Sequence, residues 1–600
     1  MIHLTINGID CQAEEGNTIL QAAQRNGIQI PTLCHLENIH QFGTCRICVV
    51  EQEGAKNLQA SCMLAAQEGM VIHTHSDRVR RARKTLFQLL ISDHNKNCLS
   101  CARNQDCELQ ALGRELGVIT DPYAGETNLG SVDISESITR DNTKCVLCRR
   151  CVTVCNEIQG VSVLNAQNRG FRTMIAPAAN MRLGETNCTY CGQCVSVCPV
   201  GALVETSHKE RVWDALEDPT KYVVVQTAPA VRVGLGECFE LEPGTSQTGR
   251  MVSALRLMGF DNVFDTNWAA DLTIMEEGTE FLNRFKTVLD GGNAVLPMMT
   301  SCSPGWVKYI ENHFPDQLDH LSTCKSPHTM MGAVIKRYYA PKIQKEAKEM
   351  YVVSVMPCTA KKTEIARAEM QNDGVPNVDA VLTTRELGEM IRSSGIDFFN
   401  LPEGRFDHPL GLSTGAADIF GLTGGVTEAA LRTVYELLTG RELPFPDLHV
   451  TPLVGLQEIK EATIKLENVK PEWAAAEGFE LRVAVTSGLS GAKKLMEQIK
   501  AGKSPYHFIE VMGCPGGCIT GGGQPRTKDI LDTRQKRMNA LYHEDEHKQL
   551  RKAHENPTIQ TFYREWGAPG GQASHTYLHT HYTPRGIYNE LTDETFVLKK

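Results

Sequence analysis

Three widely separated loops of this 600-residue sequence carry cysteines beside proline or glycine. They read Thr300-Ser-Cys-Ser-Pro-Gly-Trp306, Met356-Pro-Cys358 and Val511-Met-Gly-Cys-Pro-Gly-Gly-Cys518. Cysteine thiolates are soft ligands that suit zinc, iron and iron–sulfur clusters. A lone loop cysteine is ordinary, but three such loops lie in one part of the chain. We therefore predict one buried metal site built from all three.

The bulk composition is that of an ordinary globular protein, with 41% hydrophobic and 22% charged residues, and the length predicts several domains. A net charge of -10 provides no basic surface for nucleic acid, so we expect no nucleic-acid partner. No run approaches 18 apolar residues and the start lacks a signal peptide, so we expect a soluble, cytoplasmic protein without membrane contact. The 22 cysteines are clustered, which in such a chain favours metal ligation over disulfides.

The first 78 residues combine a hairpin signal with a group of four cysteines that follows it. Apolar residues alternate around Asn7-Gly8, which predicts a β-hairpin, and Thr18 precedes a predicted helix at 19–25 that Gly27 ends. The cysteine spacing that follows is similar to plant-type ferredoxins and suits a [2Fe-2S] cluster. The predicted ligands are Cys34, Cys45, Cys48 and Cys62. Four unrelated buried cysteines are the alternative.

A basic amphipathic helix near residues 78–91 leads to a second group of ligands. This group consists of His94, Cys98, Cys101 and Cys107. Three thiolates are too few for a plain [4Fe-4S] cluster, but an imidazole can replace one of them. We predict a His-containing [4Fe-4S] cluster, with a structural zinc site as the alternative.

An internal repeat of the pattern C-x-x-C-x-x-C-x3-C follows. Its members are Cys145, Cys148, Cys151 and Cys155, and then Cys188, Cys191, Cys194 and Cys198. This is the spacing of two-cluster bacterial ferredoxins, in which the fourth cysteine ligates the other cluster. We therefore assign Cys198 to the first [4Fe-4S] cluster and Cys155 to the second. Several one-electron centres in series predict a path for electrons.

Beyond Asp218-Pro219, short apolar runs recur and each ends at a distinctive loop. The runs cover residues 222–226, 294–296, 351–355 and 508–511. Strands that alternate with helices predict an α/β domain with parallel strands, whose ligand site lies beyond the carboxyl ends of the strands. Because all three cysteine loops follow such runs, we expect them to share one site.

These loops resemble the three signature loops of the [FeFe]-hydrogenases, and the likeness runs almost end to end. It includes the accessory cluster motifs and the tail near residues 550–557 and 579–581. It is closest to multi-cluster catalytic subunits of NAD(P)-linked, sometimes electron-bifurcating members. The resemblance implies an H-cluster: a [4Fe-4S] cubane joined through one cysteine to a diiron unit with CO, cyanide and a dithiolate amine bridge. The implied activity is reversible oxidation of H2 by heterolytic cleavage.

The resemblance also implies residue roles at the H-cluster. Cys358, Cys514 and Cys518 would ligate the cubane, with Cys518 bridging to the diiron unit. Lys361 would hold one cyanide. The other cyanide would contact Ala228, Pro229 and Ala230, and Met356 and Met512 would form apolar walls.

Proton transfer is the second implied role. Glu277, Glu280 and Arg284 fall on one helical face, which by itself is typical of a solvated surface. The resemblance makes them, with Ser322, a relay between solvent and Cys302.

Ser303 departs from the family pattern, which has two adjacent cysteines in the first loop. By position Cys302 is the proton-transfer residue, and Ser303 fills the slot of a cubane ligand. Ser303 could ligate iron through oxygen, Cys302 could turn to ligate, or the cluster could be altered. One rival class is a hydrogenase-like iron–sulfur protein that serves in cluster assembly, senses H2 or has low turnover. The other is an electron-relay subunit similar to the large subunit of NADH dehydrogenase.

The predicted architecture is α+β and multidomain. It comprises a β-grasp [2Fe-2S] domain at 1–78, a His/Cys cluster domain at 79–130, a two-cluster ferredoxin-like domain at 131–210, a large α/β H-cluster domain at 218–535 and a small-subunit-like tail at 536–600. The resemblance implies three accessory [4Fe-4S] clusters and one [2Fe-2S] cluster. Because no convincing dinucleotide fingerprint is present, we expect NAD(P) or flavin on [2Fe-2S]-containing partner subunits, or ferredoxin as partner.

Overall fold

The computed structural model describes residues 1–123, 125, 127 and 130–586. Their packing divides the chain into two compact units. The first contains Met1–Glu157, Ser162–Leu183 and Val197–Val204. The second contains Ile158–Val161, Gly184–Ser196 and the chain from Glu205 onward. Both combine helices and strands.

The first ten strands form three small sheets, with strand orders β2-β1-β5-β3-β4, β10-β7-β6 and β8-β9. The strands are β1 (Ile2–Ile6), β2 (Ile9–Ala13), β3 (Val49–Gln52), β4 (Gln59–Ala60), β5 (Val71–His73), β6 (Val132–Ile134), β7 (Ile138–Asp141), β8 (Asn165–Gln167), β9 (Met174–Ala176) and β10 (Leu203–Glu205). The predicted hairpin is confirmed, since β1 and β2 pair antiparallel on either side of Asn7-Gly8.

Four helices accompany these sheets: α1 (Ile19–Arg25), α2 (Asp77–Ser92), α3 (Glu108–Glu115) and α4 (Arg150–Thr153). The predicted helix at 19–25 is confirmed. Thr18 and Gln21 form a capping box that satisfies backbone N–H groups at its first turn. The basic helix predicted near 78–91 is α2, whose buried Val79 and Phe87 face the interior.

The second unit holds two four-stranded sheets, β12-β11-β14-β17 and β13-β20-β19-β18, and a small pair, β15-β16. The strands are β11 (Tyr222–Thr227), β12 (Asn262–Asp265), β13 (Met298–Met299), β14 (Met350–Met356), β15 (Gln371–Asn372), β16 (Val375–Pro376), β17 (Ala380–Thr383), β18 (Ile459–Lys465), β19 (Glu480–Ser487) and β20 (Phe508–Met512). The first large sheet is entirely parallel. In the second, only β18 is antiparallel.

Sixteen α-helices lie in the described part of the second unit and position its loops. They are α5 (Gln193–Ser196), α6 (Lys209–Glu217), α7 (Pro229–Arg232), α8 (Thr248–Leu257), α9 (Thr266–Leu289), α10 (Pro304–His313), α11 (Pro327–Val334), α12 (Ala340–Lys342), α13 (Ala360–Ile365), α14 (Thr384–Ser393), α15 (Gly415–Asp418), α16 (Gly425–Thr439), α17 (Leu489–Lys500), α18 (Ile530–Glu546), α19 (Pro557–Trp566) and α20 (Gln572–Tyr577).

The apolar runs form the core because parallel strands are covered on both faces. Val224, Val352 and Val381 on neighbouring strands are fully buried in one large apolar cluster. The parallel α/β arrangement predicted beyond Asp218-Pro219 is therefore present. None of the helices that the structure describes has both the length and the apolar character needed to cross a membrane.

One predicted strand is wrong. Residues 294–296 are not in a strand, and the strand before the Cys302 loop is Met298–Met299. Pro297 separates the two and has no N–H to donate to a strand ladder. The five predicted domain boundaries stay predictions, and residues 124, 126, 128, 129 and 587–600 of the second and fifth domains lie outside the described residues.

Candidate metal centre

One cavity in the second unit collects the loops that follow four parallel strands. Two of these strands, β11 and β14, belong to the first large sheet, and β13 and β20 belong to the second. The loops contribute Ala228, Pro229, Cys302, Ser303, Met356, Cys358, Lys361, Met512, Cys514 and Cys518 to its lining. The three cysteine loops thus share one site, as their positions at strand ends predict.

Three thiols converge on one side of this cavity. Cys358, Cys514 and Cys518 influence one another electrostatically, and all are free thiols. Burial, reinforced by Cys358, raises the pKa of Cys518 to about 12, and burial raises the pKa of Cys514 well above its ordinary value. Thiols kept this dry and this close are poor free nucleophiles, but a bound metal favours their thiolates. The donor set therefore fits an iron–sulfur cluster.

Ser303 lines the cavity beside these thiols. It is the residue before α10, and its Oγ accepts a hydrogen bond from the Gly513 N–H at 3.1 Å. The hydroxyl is thus fixed against the loop that carries Cys514. Its position among the lining residues fits a ligand slot, although oxygen is a harder donor than sulfur.

Lys361 contacts both the Cys302 loop and a buried carboxylate. Its Nζ donates to the Cys302 carbonyl at 3.0 Å and lies 2.8 Å from a Glu364 carboxylate oxygen. His328 Nε2 lies 2.7 Å from the same carboxylate. Burial would raise the pKa of Glu364, but the Lys361 ammonium and His328 outweigh it and lower that pKa to about 2. Sequence reasoning missed His328, since no motif connects it with residues 36 positions away.

Apolar side chains close the cavity. Met356 and Met512 are 3% and 2% exposed and line it with Phe420. Ala228 and Pro229 also line it, whereas Ala230 does not. Ala230 is fully buried behind them, and its carbonyl accepts from Gln524 Nε2 at 2.7 Å.

A row of acidic and hydroxyl groups leads away from Cys302 along α9. Ser322 Oγ donates to Glu280 at 3.1 Å and lies near enough to Glu277 to lower the pKa of that carboxyl, while Arg284 lies 2.6 Å from Glu280. Exposure of the side chains rises from 3% at Glu277 to 13% at Glu280 and 17% at Arg284. The row therefore runs from the buried Glu277, whose charge acts on the Cys302 thiol, to the partly exposed Arg284, unlike the solvated face that its periodicity alone would indicate.

Burial also sets the acidities in this row. It raises the pKa of Glu277 to about 8, with the Glu280 charge as the next cause. It raises the pKa of the Cys302 thiol well above its ordinary value, and the Glu277 charge adds to this. Both groups hold a proton near neutral pH and can pass it on.

The C-terminal segment adds groups to this row that sequence reasoning did not assign. Tyr582 donates to the Ser322 carbonyl at 2.5 Å. His579 Nδ1 lies 2.7 Å from Thr323 Oγ1, which donates to Glu280 at 3.1 Å. Only folding brings these residues together, because more than 250 positions separate them.

Two of the predicted accessory sites are assembled inside the first unit. Cys48 and Cys62 bring their sulfurs to 3.3 Å, and the neighbouring Cys45 side chain lowers the pKa of the Cys34 thiol. The other site is a cavity lined by Cys145, Cys148, Cys151 and Cys198. These cysteines lie near one another in the fold, and their roles as cluster ligands stay predictions.

The third accessory site contains an unsatisfied imidazole. His94, Cys98, Cys101 and Cys107 line one cavity. The buried Nδ1 of His94 has no hydrogen-bond partner in the described part of the chain, which fits a metal ligand. Cys155 lies in the first unit and Cys188, Cys191 and Cys194 lie in the second, so their grouping stays a prediction.

Comparison with known proteins gives a consistent result along the chain. Residues 221–522 match the iron only hydrogenase large subunit, C-terminal domain, and residues 531–585 match the iron hydrogenase small subunit. Residues 1–77 match a 2Fe-2S iron-sulfur cluster binding domain. Residues 83–121 match the NADH-ubiquinone oxidoreductase-G iron-sulfur binding region, and residues 135–204 match the ferredoxin-like domain of NADH-quinone oxidoreductase subunit 3.

Individual relatives cover nearly the whole chain. NADP-reducing hydrogenase subunit HndD of Solidesulfovibrio fructosivorans is 50% identical over 594 residues, 98% of this chain and 99% of that protein. Iron hydrogenase 1 of Clostridium pasteurianum is 40% identical over 96% of this chain and 99% of its own length. The structure of a variant of [FeFe]-hydrogenase HydA1 from Chlamydomonas reinhardtii superposes with a TM-score of 0.57 at 41% identity, covering 64% of this chain and all of that one.

Proposed function

The chain belongs to the [FeFe]-hydrogenases, oxidoreductases that act on H2, and from this premise we propose that it oxidises H2 reversibly at an H-cluster and exports the electrons through accessory clusters. The observation that carries the proposal is the cavity lined by three thiols, Lys361 and Cys302, with the Cys302 thiol in the electrostatic field of Glu277 from the acid row. A relay subunit for electrons alone needs neither the cavity nor the acids behind it.

The cluster would be held by Cys358, Cys514 and Cys518, with Cys518 shared between the cubane and the diiron unit. When bound, the diiron unit supplies the redox chemistry that separates H2 into protons and electrons. Ser303 occupies the remaining ligand position of the cubane in this proposal. Its hydroxyl already faces the Cys514 loop through Gly513, which supports that role.

Lys361 would orient the cluster by donating to a cyanide ligand. The lysine is held by Glu364, which in turn contacts His328, so its ammonium has one preferred position. Ala228 and Pro229 would contact the other cyanide, with Ala230 supporting them from behind. Met356 and Met512 exclude water, which strengthens every charge interaction in the cavity.

Protons would move between the cavity and solvent through Cys302, Glu277, Ser322, Glu280 and Arg284. A general acid works best when its pKa lies near the working pH, and the pKa of Glu277, about 8 through burial, meets this condition. Ser322 can accept a proton from one carboxyl and donate to the other, because a hydroxyl is both donor and acceptor. Arg284 orients Glu280 at the outer end.

Electrons would leave through three accessory [4Fe-4S] clusters and one [2Fe-2S] cluster. The physiological acceptor we propose is NAD(P) or ferredoxin, reached through flavin-containing and [2Fe-2S]-containing partner subunits in the cytoplasm. The relative HndD supports this, because its name describes an NADP-reducing hydrogenase subunit.

A second candidate is an H2 sensor or a low-turnover hydrogenase. Ser303 favours it, because an oxygen ligand in place of a thiolate would change the potential of the cubane. The thiols, Lys361 and the complete acid row favour the enzyme.

The deciding experiment is infrared spectroscopy of the matured protein under H2, combined with H2 uptake. We expect CO and cyanide bands that change on reduction, together with multiple turnovers. Bands without turnover would support the sensor. Iron–sulfur absorption without CO or cyanide bands would rule out both forms of the proposal and leave the relay subunit.

A further inference from the structure

The loop that carries Cys188, Cys191 and Cys194 packs directly on the loops that carry Cys358 and Cys514, all within the second unit. Four consecutive residues, 190–193, each contact the catalytic loops. We call this contact the seam. It was not visible from the sequence, which predicts both cysteine groups but not their contact.

Hydrogen bonds fix the two ends of the seam. Thr359, the residue after Cys358, is fully buried and its Oγ1 donates to the Tyr190 carbonyl at 2.7 Å. At the other end Gln193 Nε2 donates to the Thr520 carbonyl at 2.9 Å. Between them the Cys514 thiol lies 4.0 Å from the Cys191 carbonyl.

Two glycines form the middle of the seam, and neither leaves room for a side chain. A Cβ at Gly192 would lie 2.2 Å from Thr359 Oγ1 and 3.0 Å from Gly522 Cα. A Cβ at Gly522 would lie 2.5 Å from the Cys191 carbonyl oxygen and 2.6 Å from Gly192 Cα. The two backbones therefore touch without side chains between them.

Arg385 holds the catalytic side of the seam in place. Its Nη2 donates to the Gly522 carbonyl at 2.7 Å, and its guanidinium pairs with Glu205 at 2.8 Å. The flanking glycines are equally confined, since a Cβ at Gly521 would meet the Pro357 carbonyl oxygen and one at Gly523 would meet Thr383. Each of the three glycines at 521–523 is thus packed against neighbouring atoms.

We propose that Gly192 and Gly522 are positioning residues that set the electron-transfer distance between the cubane and the accessory cluster of the Cys188 loop. This inference rests on the proposed function. Electron tunnelling falls steeply with distance, so backbone contact gives the shortest route that two cluster loops can have. The step moves electrons alone: one H2 yields two protons and two electrons, which cross singly and reduce two molecules of oxidised methyl viologen.

The test separates chemistry at the cavity from export of electrons. Exchange between D2 and water protons needs the H-cluster and the proton row but no electron export. Reduction of methyl viologen through the accessory clusters needs the H-cluster, the proton row and electron export. We expect Gly522→Ala and Gly192→Ala in the matured full-length protein to keep most exchange activity and to lose most viologen reduction. EPR of the H2-reduced protein should show a weaker magnetic interaction between the cubane and its neighbouring cluster.

Matched controls separate distance from backbone strain. Gly192 has φ +70°, and Gly502 has φ +66° with nothing near its missing side chain, so Gly502→Ala carries similar strain without a clash. Gly502→Ala should leave both activities and the EPR spectrum unchanged. Gly522→Ala carries the clash without a left-handed φ, so both seam variants should behave alike if distance matters.

A milder variant covers the case in which the alanine variants lose their clusters. Thr359→Val keeps the shape of the side chain but removes its donor to Tyr190, and it should lower viologen reduction more than exchange. If exchange and viologen reduction fall in parallel in every soluble variant, or if neither the ratio nor the EPR interaction changes, the inference is wrong. Absence of exchange in the unmodified protein would instead contradict the proposed function.

Discussion

The thiol loops that line the cavity and the acid row behind Cys302 are built in opposite ways. On the sulfur side, Cys358 and Cys514 sit on short loops packed backbone against backbone, and even one Cβ is excluded at Gly522. On the acid side, Glu277 and Glu280 project from one long helix, and the Ser322 hydroxyl donates to Glu280. Electrons need only a short distance, whereas protons need a continuous row of groups that bind and release them. The sulfur side should therefore be sensitive to volume, and the acid side to chemistry.

The largest effect should come from removing the shared ligand on the sulfur side. In Cys518→Ala the cubane and the diiron unit lose their common sulfur, so we expect no detectable H2 activity and no CO or cyanide infrared bands. Cys11→Ala is the control, since Cys11 is a buried thiol in the first unit. Retained bands in Cys518→Ala would contradict the assigned ligand role.

The next largest effect should come from the acid side. Glu277→Gln keeps shape but cannot carry the proton, and general acid–base catalysis contributes about 10²–10⁴-fold, so turnover should fall by roughly that factor. The infrared bands should be unchanged because no ligand is altered. Glu403→Gln, at an exposed position, is the control. A loss no greater than that of the control would remove Glu277 from the relay.

The buried Glu277 carboxyl should also make the free energy of unfolding depend on pH. Burial raises its pKa from an ordinary 4.5 to about 8, so the folded chain keeps a proton that the unfolded chain releases. The stabilisation is complete below about pH 4.5 and is lost as the pH rises towards 8, by at most about 1.4 kcal/mol per pH unit. Denaturant titrations of the cofactor-free chain over a pH series should show that Glu277→Gln lacks this loss of stability with rising pH. Equal slopes in both proteins would contradict the shifted pKa.

Ser303→Cys should test whether the residue at position 303 ligates the cubane. A fourth thiolate would replace the oxygen at the cubane, so we expect a changed EPR spectrum and a gain in turnover smaller than the loss in Glu277→Gln. Ser303→Ala removes the hydroxyl without adding sulfur and is the matched control. If the Cys and Ala variants give the same spectrum, position 303 does not ligate iron.

The smallest effect should come from the outer end of the proton row. Arg284→Gln removes the partner of Glu280, and a partly exposed ion pair contributes about 0–1 kcal/mol, so turnover should fall less than about fivefold. Steady-state H2 uptake measured over a pH series would check this. A loss as large as that of Glu277→Gln would mean that the outer end limits the rate.

Short sequence patterns predicted most of the candidate ligands and several helices and strands. The capped helix at Ile19–Arg25 and the hairpin around Asn7-Gly8 follow from nearest neighbours, and the fold keeps them. The strand predicted at 294–296 failed because a short apolar run does not specify its own pairing. The partners of Glu364 and Glu280 in the fold, His328 and Thr323, could not be found from spacing at all.

The sequence by itself determined the chemistry of this protein: which residues are thiols, how the accessory motifs are spaced, and that Ser303 stands where a cysteine is expected. Those features are local, because ligand type and short spacing are written in consecutive residues. Tertiary folding alone brings loops from two separate sheets to one cavity, places Glu277 of α9 near the Cys302 thiol, and packs Gly192 against Gly522. These depend on long-range packing, which no short stretch of sequence contains.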